Sequence, residues 1–148
     1  MTRNGQRLLM LIENEAAQRR LVAALAARGG WRTVFADDGD MAIATLGTQE
    51  GMQLDAILLD HWDEDEDASE LIAELRSRRP ALPVLMMTAN GSVAHAVSAM
   101  RAGATDFLVK PLAPERLLAA LEAAVAGTEA GELRPLTEKI PAMLGFDE

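Results

Sequence analysis

The sequence predicts an α/β protein built on one five-stranded parallel sheet. Short apolar segments alternate with longer amphipathic ones, and Gly, Pro or Asp punctuates most of the junctions. Three polar residues, Asp60, Thr88 and Lys110, close or directly follow three of the apolar segments. In parallel sheets ligands sit outside the carboxyl ends of the strands, so residues in such positions converge.

The strand candidates are residues 8–12 (LLMLI), 33–36 (TVFA), 56–60 (AILLD), 84–88 (VLMMT) and 106–109 (DFLV). All are short and mostly apolar, as strands buried on both faces tend to be. The first helix candidate is AAQRRLVAALAARG, whose Leu21, Leu25 and Arg28 precede a Gly29-Gly30 stop. The second is DGDMAIATLG, where Met41, Ile43, Ala44 and Leu46 mix with polar positions. Residues 67–78 end at Pro80, residues 92–102 at Gly103 and residues 114–126 at Gly127. Residues 1–126 therefore form the expected domain. Residues 127–148 carry Gly and Pro breakers without a sustained period, which reads as a linker or tail, or as an extension ordered by a partner chain.

Composition bounds the function. A chain of 148 residues, 49% hydrophobic and 3% aromatic, suits one domain with an aliphatic core. With no cysteine, disulfides and thiolate metal sites are excluded, and a reducing compartment fits. The first apolar run is too short, and too soon interrupted by Glu13, for a signal peptide or a membrane span. A soluble cytoplasmic protein with no membrane partner is the expectation. Net charge is −9: residues 1–35 hold six Arg and two Glu, and residues 36–75 hold thirteen acids and no Lys or Arg. Without a basic stripe, direct contact of this domain with nucleic acid is not expected.

Carboxylate, hydroxyl and ammonium at successive strand ends suit phosphoryl transfer to an acid. That chemistry needs a placed oxygen nucleophile and positive groups to take up charge on the phosphoryl oxygens. Asp60 is the candidate nucleophile, Lys110 supplies a positive charge and Thr88 a hydroxyl donor. A divalent cation would supply the rest, and its oxygen ligands should come from the end of the first strand, at Glu13, Asn14 and Glu15.

The stretches ILLD and MMTANGSVAHAVSAMRAGATDFLVKPL resemble the receiver domain of bacterial two-component response regulators over about residues 7–126. The resemblance implies a doubly wound, flavodoxin-like (βα)5 fold. It also implies a phosphoryl group accepted on Asp60 from a sensor histidine kinase or phosphotransfer protein, with Mg²⁺ as cofactor. Thr88 then corresponds to the switch hydroxyl, Lys110 to the invariant lysine and Phe107 to the aromatic switch. Ordinary core packing alone would also account for Phe107. The metal ligands so implied are Glu13, Asn14, Asp60 and the backbone carbonyl of Trp62. Homodimerisation through the face of the fourth helix, fifth strand and fifth helix is implied too, with His95, Arg101, Arg116 and Glu122 as plausible contacts. The wording is similar to receivers of nitrogen-regulator-type activators, which implies a following AAA+ module and a role in transcription; a stand-alone receiver is the alternative.

Two departures stand out. Asn14 occupies the position of a second acid, which keeps an oxygen but removes a charge from the metal site, so weakened Mg²⁺ binding is expected. The loop DEDEDA, residues 63–68, replaces the usual turn. Asp63, Asp65, Asp67, Ser69 and Glu74 have EF-hand-like spacing, but Ala68 stands where the bend needs Gly. Asp67 as the cap of the third helix, with Glu70 three residues on, is the simpler account, and His61 reads as a solvated loop residue. These departures leave open a pseudo-receiver, an interaction module that works without phosphorylation. An aspartyl-phosphate hydrolase is disfavoured, because Trp62 stands where a second acid is needed. A regulatory phosphoacceptor, not a turnover enzyme, is the expectation.

Overall fold

The computed structural model describes residues 6–61, 68–89, 93–110 and 113–133. Its strands are β1 (Arg7–Ile12), β2 (Trp31–Ala36), β3 (Ala56–His61), β4 (Val84–Thr88) and β5 (Asp106–Val109). Between and after them lie α1 (Ala16–Ala27), α2 (Gly39–Leu46), α3 (Ser69–Arg78), α4 (Val93–Ala102) and α5 (Pro114–Leu133), with a short 3₁₀ turn at Gly51–Gln53. All four strand pairings are parallel, in the order β2-β1-β3-β4-β5. The chain leaves β1 toward one edge and returns to build the other, so the order reverses between β1 and β3. Such a doubly wound sheet places its crevice at that reversal, above the carboxyl ends of the strands.

Alternation along the strands divides the core into two layers. Leu8, Met10, Ile12, Ile57, Leu59, Val84 and Met86 face one cluster, completed by residues such as Ala42, Leu46, Ile72, Leu75 and Ala99 of α2, α3 and α4. Leu9, Leu11, Leu58, Leu85, Met87 and Leu108 face the other, against Val22 and Ala26 of α1 and Leu117, Leu121 and Ala124 of α5. Both faces of the sheet are thus covered, which is why β3 and β4 read as unbroken apolar runs.

Local chemistry sets the ends. Asp38 caps α2 by accepting from the Met41 N–H at 2.9 Å, a contact worth about 1 kcal/mol. Gly30 ends the first connection at φ 87°, a left-handed conformation open to glycine without penalty. The expected cap Asp67 lies outside the described residues; the N-cap position of α3 is Ala68, with no side-chain cap. Strand β2 starts two residues earlier than its apolar run, because Trp31 is buried and pairs in register with Arg7.

The expected helix stop at Gly127 is corrected: α5 continues through it to Leu133. Glycine weakens a helix by about 1 kcal/mol but does not end one, and Glu129, Ala130, Glu132 and Leu133 around it are good or tolerable helix formers. Nothing lies within 4 Å of a Cβ added at Gly127. Gly127→Ala should therefore stabilise the protein by up to about 1 kcal/mol, read as an upward shift of the urea midpoint without a change in slope. An unchanged or lowered midpoint would mean that this last stretch of α5 does not fold with the core.

Candidate functional site

Four polar residues lie where β1, β3, β4 and β5 end, and three of them, Glu13, Asp60 and Lys110, are in side-chain contact. Asp60 is the fifth residue of β3, after four fully or nearly buried apolar residues, and its side chain has no exposed surface. Thr88 closes β4, is 1% exposed, and pairs in register with His61 and Val109. Lys110 follows β5 directly, its backbone held by donation to the Thr88 carbonyl at 2.8 Å. Its ammonium reaches Asp60 Oδ1 at 2.6 Å. Glu13 follows β1, 2% exposed, with its N–H donated to the Ala36 carbonyl at 2.9 Å.

Glu13 and Asp60 form a pair of buried carboxyl groups. Glu13 Oε2 accepts from the Glu15 N–H at 2.8 Å. The Lys110 ammonium serves Asp60 Oδ1, and with both acids ionised neither Glu13 Oε1 nor Asp60 Oδ2 has a donor among the described residues. Burial, then the hydrogen-bond contact with Asp60 and the negative charge there, push the Glu13 carboxyl up to about 7; the Glu15 N–H and Lys110 pull against that rise.

These unsatisfied buried oxygens are hard donors of the kind Mg²⁺ takes. No group of three or more His, Cys, Asp or Glu side chains gathers among the described residues. Two carboxylates suffice for Mg²⁺, which usually binds through one or two of them and keeps several waters. Asn14 beside Glu13 is exposed, as is Glu15, whose backbone starts α1. Trp62 and residues 63–67 lie outside the described residues, and His61 ends β3.

Phe107 pairs in register with Met86 and packs, half-buried, on the α2–α4 side of the sheet. Strand alternation puts Thr88, two residues beyond Met86, on that same side. Val93, Val97 and Met100 form an exposed stripe along α4, and Val109 of β5 is exposed as well. Of the expected partner contacts, Arg116 pairs with Asp106 at 3.6 Å, and Glu122 with Arg7 at 3.4 Å. Glu122 also accepts from the Trp31 indole at 3.3 Å. His95 is half-buried and Arg101 exposed. Beside Lys110, a cavity of about 410 Å³ opens between α1 and α5, walled mainly by Leu21, Val22, Leu25, Met87 and Leu117.

One contributor was not signalled by the sequence. Arg19 of α1 donates from Nε to the Glu13 carbonyl at 2.6 Å and pairs through its guanidinium with Asp37, just after β2. Its partner at Glu13 is a main-chain oxygen, which has no sequence signature.

A doubly wound parallel sheet with an acid, a hydroxyl and an ammonium at the crevice defines the class of protein, and comparison identifies the family. The model of the response regulator receiver domain matches residues 9–122, and the chain belongs to that family. It is 31% identical over 138 residues to the transcriptional regulatory protein ZraR of Klebsiella oxytoca, covering 93% of this chain and 30% of the relative. To the response regulator protein FleR of Pseudomonas aeruginosa it is 37% identical over 110 residues, covering 74% of this chain and 23% of FleR. The crystal structure of the receiver domain of NtrX from Brucella abortus is similar at a TM-score of 0.70 and 32% identity, over 80% of this chain and 98% of that one. The chain thus spans less than a third of these two full-length regulators and nearly all of the isolated receiver. Receiver domains are regulatory parts of two-component systems. No described helix is long and apolar enough to cross a membrane.

Proposed function

We propose that this chain is a phosphoacceptor switch: Asp60 takes a phosphoryl group from the phosphohistidine of a sensor histidine kinase or phosphotransfer protein. An Asp60 carboxylate oxygen attacks phosphorus, the P–N bond breaks, and the imidazole leaves with its electron pair and is reprotonated. The observation that carries this reading is the Lys110 ammonium 2.6 Å from Asp60 with Glu13 buried beside them. Lys110 neutralises charge at the acceptor and Thr88 offers a hydroxyl to a phosphoryl oxygen.

Glu13 and Asp60 would hold Mg²⁺, with Asn14 and the Trp62 carbonyl as the further ligands the family resemblance implies; the ion supplies positive charge to the phosphoryl oxygens. Asn14 brings an oxygen without a charge, so cation affinity is lowered. Asn14→Asp should tighten Mg²⁺ binding on the order of tenfold, about 1.4 kcal/mol, by calorimetric titration. An unchanged affinity would remove Asn14 from the site.

Once phosphorylated, Thr88 reorients toward the phosphoryl group and Phe107, on the same side of the sheet, follows. The apolar stripe Val93, Val97 and Met100, with Val109 beside it, supports a homodimer face on α4, β5 and α5. The output proposed is transcription, through a module outside this chain, in a cytoplasmic protein whose receiver itself touches no nucleic acid.

The test is treatment with a small phosphodonor, with and without Mg²⁺, followed by mass and by oligomeric state. A Mg²⁺-dependent gain of one phosphoryl group supports the switch. No gain at any Mg²⁺ concentration would leave the pseudo-receiver, which the neutral Asn14 favours. Continuous phosphate release would mean a hydrolase.

A further inference from the structure

We infer that Arg19 is a positioning residue that holds Glu13 against Asp60 and so sets the cation affinity of the site; the inference rests on the phosphoacceptor reading above. One guanidinium joins three elements. From α1 it donates through Nε to the Glu13 carbonyl at 2.6 Å, pairs through a terminal nitrogen with Asp37 after β2, and lies over the Phe35 ring of β2 at 5.1 Å. Only arginine presents donors in a planar fork that can also stack on an aromatic face; a lysine would make one of these contacts at a time.

The need for such a tie follows from the site. Glu13 and Asp60 are buried acids, 2% and 7% exposed, whose charges repel. A slack β1–α1 loop would relieve both burial and repulsion by swinging Glu13 out to water. Glu13 is held by its N–H on Ala36, by the Glu15 N–H on its carboxylate, and by Arg19 on its carbonyl. Of the three restraints, Arg19 is the one made by another side chain, and it anchors the loop to the neighbouring strand end.

The sign of the effect separates positioning from simple charge. Asp37 balances Arg19, so the pair adds little net field at Glu13. Arg19→Gln leaves Asp37 unbalanced and makes the region more negative. An electrostatic role then predicts tighter cation binding, whereas a positioning role predicts weaker binding.

Mg²⁺ is titrated calorimetrically into the wild-type chain, Arg19→Gln, Arg19→Lys and Phe35→Leu, with backbone amide shifts of Glu13, Asn14 and Glu15 followed in parallel. Arg19→Gln should weaken Mg²⁺ at least about tenfold, as loss of a supporting contact to a ligand does, with Arg19→Lys recovering part of it. Phe35→Leu changes no charge and should weaken Mg²⁺ by a smaller factor, which keeps the idea testable if Arg19→Gln does not fold. Equal or tighter binding in a cooperatively melting Arg19→Gln overturns the inference, as does unaltered affinity in Phe35→Leu should Arg19→Gln not fold. A wild-type chain that binds Mg²⁺ but never takes up phosphoryl overturns the phosphoacceptor reading instead, and the affinity comparison still decides the role of Arg19.

Discussion

Asp60→Asn is expected to abolish phosphoryl uptake completely while leaving the fold intact. The amide oxygen is neutral and its lone pairs are delocalised, so it cannot displace imidazole or another leaving group from phosphorus. The change is nearly isosteric, which matters because the Asp60 side chain has no exposed surface and sits above the packed Leu58 and Leu59. It also removes the negative charge that faces Glu13, so the variant should melt cooperatively, with a weaker pH dependence than the wild type. Mass spectrometry after a small phosphodonor and Mg²⁺ reads the first effect, and thermal melts read the second. Uptake that persists in Asp60→Asn would move the acceptor to another residue and dissolve the role given to Lys110.

Most of the fold was legible, for reasons visible at particular residues. Strand β4 begins and ends where its apolar run does, because a strand buried on both faces leaves an uninterrupted apolar stretch closed by a polar residue. Strand β2 is an edge, and its first two residues pair through Trp31 and Arg32 against β1, a contact decided by tertiary register and hidden from local pattern. Gly127 misled because a glycine can mark either a helix end or a tolerated weakness, and only the backbone distinguishes them. At the site, Asp60, Thr88, Lys110 and Glu13 stood out as polar residues closing or following apolar runs. The depth of Glu13 did not, since Glu13, Asn14 and Glu15 read alike as oxygen ligands at the end of the first strand, yet Glu13 is buried while both neighbours are exposed. Arg19 was legible only as part of an amphipathic helix.

That buried Glu13 gives the second large effect, a stability that falls as pH rises. In the folded chain the Glu13 carboxyl titrates at about 7, against 4.5 ordinarily, chiefly because burial and Asp60 disfavour its charged form. A folded-state value above the unfolded one means that the folded chain holds the proton more tightly. The stabilisation is therefore complete below the ordinary value and is lost as pH climbs through about 7. The full span corresponds to about 3 kcal/mol, a large part of the 5–15 kcal/mol typical of a domain. In a chelator the urea midpoint should decline between about pH 5 and about pH 8, and Glu13→Gln, which cannot titrate, should flatten the decline. Saturating Mg²⁺ should flatten it as well, because a cation that binds the ionised carboxylates stabilises the form that high pH creates and releases the proton on binding. A midpoint that rises with pH in the chelator, or a decline that survives Glu13→Gln, would show that Glu13 is not the group facing Asp60. A decline flattened by Glu13→Gln but indifferent to Mg²⁺ would keep the buried pair and take the metal away from it.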